Sequence, residues 1–239
     1  MTFLRFLEAD MKKSALRSET ASWRDAGSRS EKSELIREAL LRSAAEVVGE
    51  LGYADASITM ITQRAGVAQG TFYNHFKSRQ DILDKLLPDV GEHMISHVRK
   101  KASGRGEFAE LEERSFRAFF SFIKQTPHFS RILNEAESFA PLGYEQHFKT
   151  VSTGYIRFLN KALSNGDFIG YSEAELEVVA YMLMAARSYL AQRYATEDGK
   201  PIEIPNDVVN TYMKFVLFGL KGQASATKRR PPSSKSESP

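Results

Sequence analysis

A chain of 239 residues, 42% of them hydrophobic, is long enough to bury one large core or two smaller ones, which excludes a wholly disordered protein. It contains no cysteine, so disulfides, thiolate metal sites, iron–sulfur clusters and cysteine nucleophiles are excluded, and a reducing compartment is the expected setting. The formal charge of +3 is compatible with a polyanionic partner without arguing for one, because the placement of charge matters more than its sum.

Residues 1–27 are rich in Ser, Lys, Arg and Ala and lack sustained periodicity, so they read as a flexible arm. Phe3, Leu4, Phe6 and Leu7 are interrupted by Arg5, Glu8 and Asp10, and no small-residue cleavage site follows, so no secretion signal is expected. Ser28 with Glu31 forms a capping-box pattern that opens a first helix. Its Leu35, Ile36, Ala39, Leu40, Ala44, Val47, Val48 and Leu51 recur at three- and four-residue steps until Gly52 stops it. Ser57 caps a short helix carrying Ile58 and Ile61 that ends at Gly66, and a further helix is predicted from Gln69 to Phe76. Ser78 and Asp81 open a long helix to about Ala102, with bends expected at Pro88 and Gly91.

After a break at residues 103–106, helices are predicted at 107–125, 127–138, 143–165, 173–196 and 206–222. No alternating run of strand length occurs, so the fold class is all-α. The apolar runs at 181–186 and 215–220 fall far short of the roughly 20 residues that span a bilayer, and a cytoplasmic protein is the expectation. The Lys-, Arg-, Pro- and Ser-rich segment 223–239 cannot bury a face and reads as a disordered tail. This divides the chain into an arm (1–27), a smaller helical domain (28–86), a larger helical domain (87–222) and the tail (223–239).

The strongest signal lies between Ser57 and Arg79. Two short helices joined by a turn at Gly66 fit a helix-turn-helix. On the second, Phe72 and Phe76 are one turn apart and suited to the core, which leaves Gln69, Gly70, Thr71, Tyr73, Asn74 and His75 on the other side. These are short or planar groups able to bond base edges and phosphates, and Gly70 permits close backbone approach. The segment has no acidic residue, while Arg64, Lys77 and Arg79 are positive. A polyanion meets no local repulsion there.

The run from Ala65 to Phe76, AGVAQGTFYNHF, followed by Lys77 and Arg79, closely resembles the DNA-binding motif of the TetR family of transcriptional regulators. The resemblance covers residues 31–86 at motif level and the remainder only in architecture. It implies a dimer on a palindromic operator and repression relieved by a small molecule. It also implies that Gln69, Thr71, Tyr73, Asn74 and His75 lie on the recognition helix, with Gln69 and Asn74 directed to bases and Tyr73 to phosphate. Ser57 and Thr59 are then expected near phosphate, with Lys77 and Arg79 meeting the backbone. Two residues depart from the family pattern: Ala68 stands where a capping Ser is frequent, and Thr62 where a small Ala follows Ile61. Both bear on local stability rather than on contact with DNA.

The two last helices are apolar almost all round, and a helix apolar on every side needs burial on every side. Val179, Leu183, Ala186, Tyr189, Leu190, Tyr212, Phe215, Val216 and Phe218 are therefore expected in a two-fold four-helix interface, with burial inside one subunit as the rival. The chain has 16 Phe and 9 Tyr. Phe119, Phe120, Ile123, Phe129, Leu133, Phe148, Val151, Tyr155, Phe158 and Met182 are candidates to line an apolar pocket, against the plainer reading of aromatic core. Arg187 is expected either to meet an acidic head group or to close an interfacial ion pair, and the aromatic content points to a lipophilic effector.

No catalytic residue, cofactor or metal is expected. No nucleophile elbow, phosphate-binding Gly-rich loop or dinucleotide fingerprint is present. His93 and His97 share a helix face, so a metal-responsive regulator is one alternative, although the first His lacks the neighbouring Glu of a zinc hydrolase. A helical protein-interaction scaffold without DNA binding is the other.

Overall fold

The computed structural model describes residues 27–167 and 170–220. The arm up to residue 26 and the tail from 223 lie outside them. Helix α1 spans Arg29–Leu51 and begins as its cap predicts, the Ser28 hydroxyl accepting from Glu31 N at 3.1 Å. It ends at Gly52, whose φ of 90° is in the region that favours glycine. Helix α2, Ile58–Ala65, is capped by the Ser57 hydroxyl and closed by Gly66 in the left-handed conformation. Helix α3 is only Gln69–Phe72. The predicted helix to Phe76 thus stops a turn early: Asn74 N bonds Thr71 O and His75 N bonds Phe72 O, tight turns that carry residues 73–75 out of the helix.

Helix α4, Arg79–Lys101, runs unbroken through Pro88. One continuous helix therefore leads from the segment around Phe72 and Phe76 into the rest of the helical body. Helices α5 (Phe108–Gln125), α6 (His128–Phe139), α7 (Pro141–Asn165) and α8 (Glu173–Tyr194) follow, then α9 (Asn206–Leu220). Between α8 and α9 lies a two-residue β-hairpin, Thr196–Glu197 with Lys200–Pro201, that the helical reading did not include. Asp198 and Gly199 turn it with φ of 48° and 73°, the geometry that an Asp-Gly pair supports.

One continuous core joins the parts, from Leu40, Ile61, Phe72 and Phe76 through Leu86 to Phe116, Phe129 and Leu183. Helix α4 packs against α1, α5, α6 and α7. Its seam with α7 is close enough that a Cβ on Gly143 would lie 2.2 Å from Asp84 O, and one on Gly91 would lie 2.1 Å from Nδ1 of His147. A side chain at Gly143 would meet the α4 backbone, and one at Gly91 would displace the His147 ring. No helix among the described residues is long and apolar enough to cross a membrane.

Candidate nucleic-acid interface

Phe72 and Phe76 are fully buried, their rings 5.5 Å apart, and Phe72 meets Tyr73 edge to face. Burying two such rings contributes about 1.5–3 kcal/mol each, which holds a four-residue helix too short to persist alone. Behind them, the Thr62 hydroxyl donates to Ile58 O at 2.9 Å and lies 3.1 Å from Thr59 O. A hydroxyl in place of a methyl is thus satisfied at a site only 2% exposed. Ala68 opens α3 with no side-chain cap, as its residue type dictates.

The outward side carries Gln69, Gly70, Tyr73 and Asn74, all exposed, with Tyr73 at 59%; Thr71 and His75 are half-buried. A Cβ on Gly70 would meet nothing within 4 Å. Gln69 Nε2 donates to the Thr59 hydroxyl at 2.6 Å, tying the two reading helices together across their exposed face. Ser57 spends its hydroxyl on Met60 N. Lys77 is exposed, and its N–H donates to Asp81.

Two cations of this segment are engaged by other groups of the chain instead. Arg79 was expected at the DNA backbone, but its guanidinium donates to the carbonyls of Tyr53, Ala54 and Ala56. Its charge closes the loop between α1 and α2, which otherwise leaves three carbonyls without donors. Arg64 is held by Glu50 through two bonds of 2.7 and 2.6 Å. The sequence reading did not single out Arg37 of α1, whose guanidinium lies 5.9 Å from the Phe76 ring centre. Burial, and then the Arg37 charge, hold the His75 pKa below its usual value, so the ring presents one donor and one acceptor at neutral pH.

The reading head docks on α6 through a polar clamp. Arg131 donates to Glu50 O at 2.8 Å and Gly49 O at 3.4 Å, and its Nε bonds Glu135 at 2.7 Å. The other oxygen of Glu135 accepts from Tyr53 N at 2.9 Å. The final carbonyls of α1, which lack donors within the helix, are satisfied by α6. Tyr53 stacks on Phe139 with centroids 6.2 Å apart. The C-terminal end of α1 is thus clamped to α6.

In the helical body, Phe119, Ile123, Phe129 and Leu133 converge with Ser188 and Ala191, yet they enclose only about 10 Å³. Phe120 is core, packed on Phe116 and Phe119. Tyr155 and Phe158 stack on one another, and Phe158 stacks on Phe108; Phe148 and Val151 are half-buried on α7. Met182 is 64% exposed. Arg187 is buried and pairs with Glu112 of its own subunit at 2.7 Å, an ion pair within the helical body.

The expected interface residues divide by helix phase. Val179, Leu183, Tyr212 and Val216 are buried inside the subunit, and Ala186 and Leu190 are half-buried. Tyr189, Phe215 and Phe218 are exposed at 71–73%, and Val178, Tyr181 and Met182, which the sequence reading did not assign to the interface, are exposed as well. The apolar surface that needs a cover is this second stripe.

Neither alternative reading gains support. His93 is exposed, and the His97 ring meets Phe122 edge to face. Among the described residues no three ligand-bearing side chains converge on a metal position.

Residues 40–86 match the family described as bacterial regulatory proteins, tetR family. The chain is 28% identical over 144 residues to the fatty acid metabolism regulator protein of Bacillus subtilis, covering 58% of this chain and 72% of that one. It is 40% identical over 68 residues to the uncharacterized regulator YvdT of the same organism, a match spanning 28% of this chain and a third of that relative. Its fold is similar to that of the fatty acid degradation regulator FadR from Bacillus halodurans, with TM-score 0.66 and 18% identity over 78% of this chain and 96% of that one. The motif and the family match agree: over residues 40–86 the chain carries the domain of the tetR family of bacterial regulatory proteins, and beyond it the chain is similar to transcriptional regulators of that kind.

Proposed function

We propose that the chain acts as a repressor that binds an inverted-repeat operator as a homodimer and releases it on binding a small apolar effector. The observation that carries the reading is the division of residues 69–76. Phe72 and Phe76 anchor the segment from behind, while Gln69, Gly70, Tyr73 and Asn74 face solvent with no acidic side chain between Ser57 and Arg79. In this reading Gln69 and Asn74 meet base edges, and Thr71, Tyr73, His75 and Lys77 meet phosphates along with Thr59. Arg37 joins them from α1, and Arg79 acts by holding the loop behind them.

Dimerisation is assigned to the exposed stripe of Val178, Tyr181, Met182, Tyr189, Phe215 and Phe218. Six large apolar side chains on two adjacent helices form a patch of the kind that marks an interface. Two-fold pairing would set the two heads one helical turn of DNA, or a multiple of it, apart. An apolar effector is supported by the convergence of Phe119, Ile123, Phe129 and Leu133 and by the relatives named as fatty acid regulators. With so little empty volume there, such a ligand must part α5, α6 and α8 to enter. Displacement of α6 passes through the Arg131–Glu135 clamp to α1 and so to the reading head. Footprinting on the DNA upstream of its own coding region tests the reading: a protected inverted repeat, lost on adding long-chain apolar compounds, is the expected result. Absence of any protected duplex at low salt would overturn it.

A further inference from the structure

The centre of the helical body holds a charged cluster that the reading above does not use. Glu112 is fully buried, and its Oε1 accepts three bonds: from the Tyr155 and Tyr212 hydroxyls at 2.6 Å each and from Arg187 Nη2 at 2.7 Å. Arg187 also donates to the Ser115 hydroxyl at 3.1 Å, and its guanidinium lies 5.1 Å from the Tyr155 ring centre. Yet Oε2 of Glu112 and Nε of Arg187 are buried, and among the described residues neither has a hydrogen-bond partner. In a guanidinium, Nε–H and one Nη2–H point the same way and form a fork suited to both oxygens of a carboxylate. Here only one arm of that fork is closed. What remains is one acceptor and one donor belonging to the same ion pair.

We infer that this half-closed pair is the recognition point for the effector's head group, and that it selects a neutral group that both donates and accepts, such as an alcohol or primary amide, over a carboxylate. A hydroxyl or amide N–H would donate to Glu112 Oε2 while its oxygen accepts from Arg187 Nε. A carboxylate would place a second anion beside a buried one, and like charges at such a site oppose each other strongly. An ammonium would do the same to Arg187. Opposite charges cancel within the Glu112–Arg187 pair, so it is neutral as a unit and gains nothing from another charge. The apolar part follows from the same cluster into the convergence described above: Ser115, which accepts from Arg187, stands one turn before Phe119 on α5, and Arg187 adjoins Ser188 on α8.

The inference rests on the effector reading above, and the test separates the two. The full-length chain is titrated by calorimetry with 1-decanol, decanamide, decanoate and decane, equal in tail and different in head. The alcohol and amide are expected to bind at least about tenfold tighter than the acid and the hydrocarbon, the order of one hydrogen bond to a charged group. The double variant Glu112→Leu with Arg187→Met keeps volume and removes both charges together, a change that buried pairs tolerate; it should fold and lose the preference. Glu112→Gln alone should reduce alcohol binding while leaving decane unchanged. If decanoate binds as tightly as decanol, or if the double variant keeps the alcohol preference, the head-group assignment is overturned while the apolar effector stands. It is equally overturned if a crystal structure with decanol shows only a water bridging Oε2 and Nε. If none of the four binds, the effector reading fails with it.

Discussion

Acid should loosen this protein through one buried histidine. His147 of α7 is 5% exposed, lies against Gly91 of α4 and Phe129 of α6, and is held by burial at a pKa of about 4, below its ordinary value of 6.5. A folded-state value below the unfolded one means that the unfolded chain binds the extra proton first. The stability due to the neutral ring is therefore complete above about pH 6.5 and lost as the pH falls toward 4. The linkage integral for these two values gives a loss of about 2 kcal/mol by pH 5 and about 3 kcal/mol by pH 4. Urea unfolding at pH 7, 6, 5 and 4.5, compared between the wild-type chain and His147→Gln, isolates this contribution because carboxylates titrate equally in both. The variant should be less stable at pH 7, and the gap should close as the pH falls. Parallel curves for the two proteins would refute the assignment of the pH dependence to this ring. Because His147 sits on the seam that positions α4, operator affinity should weaken over the same pH window.

Other perturbations separate structural roles from contact roles. Gly143→Ala places a methyl group 2.2 Å from a backbone oxygen of α4 and should cost about 1–3 kcal/mol or more in chemical unfolding, the range for overpacked sites. Arg79→Ala removes three carbonyl contacts and should lower stability by about 1–3 kcal/mol. Lys77→Ala should leave stability unchanged but lower the slope of log affinity against log salt by about one on the footprinted duplex. Arg131→Ala should leave the fold intact and operator binding measurable, yet reduce the effector's ability to release DNA, read as a flattened response in a release titration.

Much of the architecture was legible because local chemistry and periodicity agreed. The capping pairs Ser28–Glu31 and Ser78–Asp81, the stops at Gly52 and Gly66, and the four-residue spacing of Phe72 and Phe76 each have one physical solution, and the fold adopts it. The end of α3 was not legible, since nothing in the Tyr-Asn-His sequence forbids helix; the turns there follow from seating Phe76 in the core. Arg79 misled for a related reason: a cation near a reading head suits phosphate, and only the path of residues 53–56 shows that three carbonyls need it more. The interface residues on α8 and α9 could not be phased from helices apolar on every side.

Two signals were present that the sequence reading took up only in part, since it singled out Arg187 but neither Glu112 nor the Asp-Gly pair. Asp198-Gly199 is a hairpin turn pair. Glu112 stands four residues from both Phe108 and Phe116, and Arg187 stands four from Leu183 and Ala191. A lone acid and a lone base, each on an apolar stripe, mark a buried pair before any coordinates are known.

The account depends most on the outward side of residues 69–74 entering a major groove. The most direct test is the affinity of the chain carrying Tyr73→Phe and Asn74→Ala for the footprinted upstream duplex, measured by fluorescence anisotropy alongside its thermal stability. Both side chains are exposed, so the melting temperature should hold while affinity falls at least about tenfold, the order of one lost base contact. Unchanged affinity in a fully folded variant would contradict the claim.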